Sequence, residues 1–462
     1  MSMGRRKSER QAGWIATTDL PAAPNNLFYR KLNRLLAEHE FDSFVEELCR
    51  PYYAENKGRD SIPPGVYFRM LMIGYFEGLD SQRGIAWRCA DSLSLKAFLG
   101  YSLEEATPDH SSLTRVGQRL PIEVHEQVFP FVLKIAQVKK LLKGKTVAVD
   151  GTLLEANAAM KSIVRRDTGD GWKAYLIKLM AELGIENPTD EDIRRFDKKR
   201  KGKKVSNKDW VSSSDPESRI TKMKDGRTHL AHKAEHVVDL DTDMLLAATI
   251  HAGDRSDSES GIDSVITAQA NLISCGSDAE IKEIVNDKGY HEAASLAQYA
   301  SWGLRTYIPE PKRNHRRAWV DKPDEYQVAV YANRRRVKGK RSKRLNRLRS
   351  EYVERSFAHM CETGGARRSW LRGLERVSKR YTIHAAARNL GVIMRNLFGI
   401  GTPRSLQGTT ASALAYLRAL RPSWTSARGA WRVLTEWMIT DSAPLCSALP
   451  RAANAAKVSR VA

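Results

Sequence analysis

The stretch EIKEIVNDKGYHE, residues 280–292, decides how the second half of the chain folds. An apolar run ends at Val285 and is followed at once by the polar residues Asn286 and Asp287 and then by Gly289. A short apolar run bounded by turn-forming residues is typical of a buried strand. The stretch therefore predicts a strand that ends on a carboxylate, and the rest of the chain has to show what that carboxylate meets.

Other segments that predict strands lie on both sides of this stretch. Upstream, KTVAVDG (145–151) alternates and is rich in valine, and THLAHKAEHVVDLDTDMLLAATIHAG (228–253) predicts a hairpin that turns around Asp241–Asp243. Downstream, a helix over about 292–301 is followed by the strand RTYIPEP (305–311), which completes a βαβ unit. The second half of the chain is thus predicted to be an α/β domain.

The first part of the chain predicts helices instead. From about residue 26 to 138, apolar residues recur at intervals of three and four, as in GVYFRMLMIGYFEGLDS (65–81). Pro63 and Pro64 favour one helix start, and the turn at 107–109 favours another. We expect a compact helical bundle, rich in arginine near its end, of a kind that can bind DNA through a helix-turn-helix element.

Two segments of the second half are strongly basic. Between the first strand and the hairpin, residues 158–226 predict an insertion that holds one amphipathic helix (172–185) and a charged run, RRFDKKRKGKKVSNKDW (194–210), which is too polar to make a core. A second run has ten Lys or Arg among the sixteen residues 334–349. Because it leads directly into the predicted helix EYVERSFAHM (351–360), its charge is expected to be fixed beside another element.

Composition narrows the class of partner. The chain has 462 residues, which suggests two or three structural units, and a formal charge of +22, which favours polyanions. No stretch approaches the run of about 18 apolar residues that a membrane-spanning helix needs, and the start has no secretory signal. The five cysteines are scattered without a CxxC pair. We therefore expect a cytoplasmic protein whose main partner is nucleic acid, with an anionic membrane surface as the rival partner.

Three carboxylates are the candidate chemistry. Asp150 and Asp287 are each expected just past the end of a strand, where two acids on neighbouring strands can share hard cations such as Mg²⁺. Glu354, on the predicted helix that follows the basic run, is the candidate third acid. At 3.6 residues per turn it shares a face with Arg347 and Cys361, so a surface ion pair is the alternative interpretation.

The residues around these acids resemble a known family. VAVDGTLLEANA around Asp150, VNDKGYHEA around Asp287 and YVERSF around Glu354 are similar, in this order, to motifs of bacterial insertion-sequence transposases of the DDE type. Relatives also carry segments like PDHSSLTRVGQRL (108–120) and DPESRITKMKDGRTHLAHKAEHVVD (215–239). The resemblance covers roughly residues 28–399.

The resemblance implies that Asp150, Asp287 and Glu354 hold two Mg²⁺ ions, with Mn²⁺ possible in their place. Relatives have an arginine four residues before the glutamate and a lysine seven after it, where this chain has Ser350 and Cys361.

Three cationic residues can contact DNA phosphates in this scheme. Arg347 and Arg349 are close enough to replace the missing arginine, and Lys288 either contacts a phosphate or pairs with Asp287. Glu351 is the alternative third acid, because Arg347 lies four residues before it.

The fold implied is α+β: a helical domain followed by a ribonuclease-H-like mixed-sheet domain with a basic insertion. The expected boundaries are a basic tail (1–25), a DNA-binding domain (26–140), a catalytic domain (141–400) and a C-terminal tail of unknown role (401–462). Expected partners are terminal inverted repeats and target DNA as duplexes, and a second copy of the chain or a larger assembly, without a membrane or a nucleotide cofactor. An inactive DNA-binding descendant and a metal-dependent nuclease on the same fold are the alternatives.

Other groups of residues give weaker evidence of a functional site. His229, His232 and His236 have a spacing that loosely resembles zinc ligation, but residues three apart on a strand point to opposite faces. The chain has no P-loop, no GxSxG elbow and no dinucleotide fingerprint.

Overall fold

A computed structural model describes residues 25–54, 61–200, 205–312 and 317–406. Residues 1–24 of the predicted basic tail and residues 407–462 of the predicted C-terminal tail lie outside these described residues. The helices of the first part are α1 (Asn25–Glu38), α2 (Phe41–Cys49), α3 (Pro64–Glu77), α4 (Gln82–Ala90), α5 (Leu93–Leu99), α6 (His110–Arg119) and α7 (Ile122–Val138).

The remaining elements alternate between strands and helices. The strands are β1 (Thr146–Glu155), β2 (Ile163–Arg165), β3 (Trp210–Ser212), β4 (Arg219–Lys222), β5 (Thr228–Asp239), β6 (Leu245–Ala252), β7 (Glu283–Asn286) and β8 (Arg305–Thr306). The helices are α8 (Trp172–Glu182), α9 (Asp190–Lys199), α10 (Asp257–Ser274), α11 (Ala293–Ser301), α12 (Asp324–Val337), α13 (Lys340–Ala358) and α14 (Leu374–Phe398). The protein is therefore a helical region followed by a mixed sheet with helices.

Local signals fix the starts of two helices in the first part. Helix α3 begins at Pro64, and Pro at the first helical position loses no intrahelical hydrogen bond. Helix α6 is capped by Asp109, whose side chain accepts a hydrogen bond from the backbone N–H of Ser111. Both predicted starts are confirmed.

The main sheet has the order β4-β5-β1-β7-β8, and β6 pairs with β5 beyond the end of β4. Strand β5 is antiparallel to β1, whereas β7 runs parallel to β1 and β8 parallel to β7. The predicted β5–β6 hairpin and the predicted βαβ unit from β7 through α11 to β8 are both confirmed.

Strand β1 differs from its prediction. It does not end before Asp150 but continues to Glu155, so Asp150 lies in the interior of the strand opposite His236. The reason is tertiary: β5 is long enough to pair with β1 up to the register of Ala231 with Glu155. Long-range pairing thus overrides the turn signal of Gly151.

The predicted insertion is more ordered than its composition suggests. Helix α8 confirms the predicted helix, but a second helix, α9, forms at the start of the charged run because Thr189 makes a capping box with Asp192. Ile193 of α9 packs against Leu176 of α8 in a small core. Strand β4 also falls within residues 158–226, yet it pairs with β5 in the main sheet.

Helix α14 joins the helical region to the sheet. It packs against α3 and α7 on one side and β6 on the other, and one continuous hydrophobic core runs through both parts. Its buried Asn389 hydrogen bonds both backbone groups of Leu245 in β6. The two parts are therefore packed as one body.

Candidate active site

The parallel pairing of β1 with β7 brings two of the three predicted acids together. Val149 pairs with Asn286, so the next residues of the two strands, Asp150 and Asp287, follow side by side at the carboxyl end of β7. Asp287 comes directly after its strand, as predicted.

Asp150 lies in an electrostatically unfavourable place for a charge. Burial, and secondarily the nearby carboxylates of Asp287 and Asp257, raise its pKa to about 6, against the lowering effect of Arg349. The guanidinium of Arg349 donates to Asp150 Oδ2 at 2.9 Å, and the N–H of Gly151 donates to the other oxygen at 2.8 Å. Two hydrogen bonds therefore hold the carboxylate in place, but its negative charge is only partly compensated.

Gly289 permits a close approach of two carboxylates. Its N–H donates to Asp287 Oδ1 at 2.6 Å, and a Cβ at this position would lie 2.6 Å from Asp257 Oδ2 and 3.0 Å from Asp287 Oδ1. Asp257 is the first residue of α10, and the sequence reasoning missed it. Its signal is its position: it starts the helix that leads from β6 to β7, and so lies at the same edge as Asp287.

Beneath Gly151 lies a buried charged layer that sequence reasoning also missed. Lys233 Nζ donates to Asp257 at 2.5 Å and to Ser260 at 2.7 Å, and lies 3.0 Å from Glu235. Glu235 is fully buried. The available signal was a Lys and a Glu two residues apart in a strand, which places both side chains on the same face of the sheet.

Helix α13 packs across β1 and β7 with one face. That face carries Arg341, bonded to Glu283 at 3.1 Å, then Arg349 on Asp150, then Ser356, which contacts His236 at 2.7 Å. The basic run is therefore fixed over the sheet, as expected.

Glu354 lies off this face. It is exposed, makes no hydrogen bond or ion pair with any described residue, and is about 140° around the helix from Arg349. Glu351, the alternative, pairs with Arg355, which also bonds Asp243 in the β5–β6 turn at the opposite end of the sheet from Asp287. The assignment of the third acid stays a prediction, with Glu351 already committed to another partner.

The other two residues that were predicted to contact DNA have no ion-pair partner among the described residues. Lys288 and Arg347 are exposed, and neither forms an ion pair with the residues that the structure describes, including Asp287. Cys361 is buried, and burial raises the pKa of its thiol to about 11, so it supplies no charge in the place of the lysine.

Across the described ranges, no group of three or more His, Cys, Asp or Glu side chains is arranged to hold a metal. Asp150 and Asp287 are brought together, and the cation beside Asp150 is Arg349. The three histidines meet three different partners: His229 contacts Asp225, His232 contacts Asp215 and His236 contacts Ser356.

A helical region, a mixed sheet and a pair of acids under a basic helix define an α+β protein with an acidic centre. Residues 20–119 match the family described as transposase domain (DUF772), and residues 311–394 match the transposase DDE domain. The two matches support an insertion-sequence transposase of the DDE type, the family that the motifs resemble. Glu354 lies in the second matched segment, whereas Asp150 and Asp287 lie in neither.

Among curated proteins, none shows a significant sequence match to the chain. Within the described residues, no helix combines the length and the apolar character that crossing a bilayer requires.

Proposed function

We propose that the protein is a DNA transposase that binds the terminal inverted repeats of its own insertion sequence, cuts at their ends and joins them to target DNA. The observation that carries this proposal is the side-by-side placement of Asp150 and Asp287 beneath the basic helix α13. Two acids on adjoining strands supply oxygen ligands, and the arginines above them supply contacts for a phosphate backbone. The mixed sheet would then be of the ribonuclease-H-like type.

The residues suit a hard divalent cation. Carboxylates are the ligands that Mg²⁺ prefers, and the pKa of Asp150 is raised to about 6 by burial and, to a smaller extent, by the nearby acids Asp287 and Asp257. Asp150 and Asp287 would hold Mg²⁺, or Mn²⁺, and Glu354, which lies off the face of α13 that meets Asp150, is proposed as the third ligand of a two-ion site on the family resemblance alone. When bound, such ions activate water and stabilise the attacking and leaving oxygens of the phosphodiester.

The chain's own residues would do the rest. Asp150 would have to be ionised and released from its contact with Arg349 to serve as a ligand, and the guanidinium would then be available for a DNA phosphate. Arg347 and Lys288, exposed and without ion pairs to described residues, would hold neighbouring phosphates. Cutting two ends in one event calls for at least two copies of the chain, acting on the DNA in the bacterial cytoplasm, at the nucleoid.

A second candidate is an inactive descendant that only binds DNA. Two observations favour it: Arg349 rather than Glu354 meets Asp150, and the buried Cys361 replaces a lysine. A nuclease without strand transfer is the third candidate, because the same acids would serve it.

The test is cleavage of a labelled duplex that carries the element's terminal repeat, with and without Mg²⁺. We expect Asp287→Ala to lower the cleavage rate by about a hundredfold to a thousandfold, the scale of losing a main electrostatic contribution to the transition state, while duplex binding survives. Asp278→Ala, at an exposed acid in the loop before β7, is the matched control and should cut normally. Binding without cutting by the unmodified protein would favour the inactive descendant, and cutting without joining to a second duplex would favour the nuclease.

A further inference from the structure

Helix α6 has a solvent face without acidic residues. Leu113 and Val116 anchor the helix in the core, and the helix contains no Asp or Glu. Its exposed residues are Ser111, Thr114, Arg115, Gln118 and Arg119. By contrast, α2 exposes Glu46 and Glu47. A solvated face normally mixes both signs of charge, so the composition of α6 needs another explanation.

The side chains of this face have the chemistry that reads base edges. Arg and Gln form bidentate hydrogen bonds with guanine and adenine in the major groove, and Ser and Thr bond either. Arg115 contacts only the hydroxyls of Ser111 and Ser112 on its own helix, at 3.5 and 3.2 Å. Gln118 forms no hydrogen bond with any described residue. The remaining N–H donors of Arg115 and the amide donor and acceptor of Gln118 are therefore available to a ligand.

A cleft of about 330 Å³ continues this face toward the start of α14. Arg83 and Arg376 line it, are exposed, and form no ion pair with the residues described. Asp80, the acidic residue of the lining, accepts a hydrogen bond at 2.7 Å from the indole N–H of Trp370, a tryptophan that is 48% exposed. The cleft thus combines unpaired cations with a fixed aromatic ring, which complements a polyanion.

Strand β1 connects this cleft to the acidic centre. At its far end, the backbone carbonyl of Glu155 accepts a hydrogen bond from the N–H of Ser369 at 2.8 Å, next to Trp370. Trp370 of the cleft therefore lies beside the end of the strand that carries Asp150.

We infer that the solvent face of α6, together with the adjoining cleft, is the duplex-DNA surface that recognises the terminal repeat, with Arg115 and Gln118 contacting base edges. Arg83 and Arg376 contact phosphates. This inference rests on the proposed function, since it takes DNA as the ligand, and it adds the residues of the readout.

The experiment compares binding of two labelled duplexes, the terminal repeat and a scrambled sequence of the same composition, at several salt concentrations. The double variant Arg115→Ala, Gln118→Ala should lose at least about tenfold of its preference for the repeat, the scale of one lost base contact. Arg83→Ala and Arg376→Ala should weaken binding of both duplexes alike and reduce the salt slope by about one each. Arg34→Ala, at an exposed arginine on α1 without an ion pair to described residues, should change neither.

A second comparison locates the contact. Substituting the base pairs of the repeat one at a time should reveal positions at which binding of the unmodified protein weakens and binding of the double variant does not. If the double variant keeps the full preference while folding normally by circular dichroism, the inference is overturned, and Mg²⁺-dependent cleavage at the repeat would still uphold the proposed function. If the unmodified protein shows no preference for the repeat, repeat binding and the inference both fail.

Discussion

Two acids on the two faces of the same sheet have opposite surroundings. Asp150 and its neighbour Gly151 are paired with His236 and Glu235 of β5, so Asp150 and Glu235 lie one register position apart. Glu235 is fully buried and accepts hydrogen bonds from three hydroxyls, with Lys233 3.0 Å away. The hydroxyls are those of Ser260, Ser264 and Tyr290. Asp150 is partly exposed and has one guanidinium and one backbone N–H.

The two acids therefore have different roles: Glu235 stabilises the packing of the sheet, whereas Asp150 can bind a ligand. Glu235 is buried away from solvent and is held by three hydroxyl donors and a lysine, so it specifies how β5 packs on α10 and is closed to a ligand. Burial also raises the pKa of Tyr290 well above its ordinary range, so this phenol stays a donor to Glu235. Asp150 keeps unused acceptor capacity beside a second acid, which is what a cation-binding position requires.

The largest expected effect is a loss of stability when the buried lysine beside Glu235 is removed. Lys233→Met keeps the length of the side chain but leaves Glu235 and Asp257 without their cation, so the free energy of unfolding should fall by about 3 to 5 kcal/mol. Urea denaturation measures this loss.

Lys282→Met is the matched control for this change, because Lys282 pairs with Glu280 in solvent and its side chain is 54% exposed. Its removal should cost no more than about 1 kcal/mol. Equal losses in the two variants would contradict the view that the layer beneath Gly151 is a structural charge network.

The next effect is on the pH dependence of stability. The pKa of Asp150 is about 6 in the folded protein, above its ordinary value, so between about pH 4 and 6 the folded state binds the proton more tightly than the unfolded state. This contribution favours folding at low pH and is lost as the pH rises through 6. With Asp150→Asn as reference, the free energy of unfolding of the unmodified protein should fall by about 2 to 3 kcal/mol from pH 4 to 7 without metal.

The rate of DNA cleavage should change with pH in the direction opposite to the stability. Because only the ionised carboxylate can hold a cation, the rate in Mg²⁺ should rise with pH up to about 6. Parallel stability curves for the unmodified protein and Asp150→Asn across this range would show that Asp150 titrates at its ordinary pKa.

Prediction from sequence succeeded where the signal is local. The strand that ends at Asp287, the β5–β6 hairpin and the starts of α3 and α6 follow from short patterns of apolar, turn and capping residues. The continuation of β1 past Asp150 does not follow from a local pattern, because it depends on pairing with β5, some eighty residues away along the chain. Asp257 was missed for the same reason, because its closeness to Asp287 arises only when α10 docks on the sheet.

Helix α13 of the candidate site shows the same limit of prediction from sequence, because long-range packing decides which of its faces meets the sheet. Helical periodicity places Glu354 with Arg347 on one face, but it does not say which face meets the sheet. The buried stripe contains Leu345, Val353 and Ser356, and this rotation brings Arg349 to Asp150. The family resemblance supplied Glu354 as a ligand, whereas the contact of Arg349 required the tertiary arrangement.

The smallest expected effect tests that contact. Arg349→Gln removes the cation that lowers the pKa of Asp150, so the pKa should rise above 6 by roughly one unit, or about 1.4 kcal/mol. The midpoint of the stability difference between Arg349→Gln and the same variant carrying Asp150→Asn should move to higher pH by that amount. Arg347→Gln, on the exposed side of the same helix, should leave the midpoint unchanged. An unmoved midpoint in Arg349→Gln would mean that the guanidinium does not stay on Asp150 in solution, and Asp150 would then be open to a cation without any displacement.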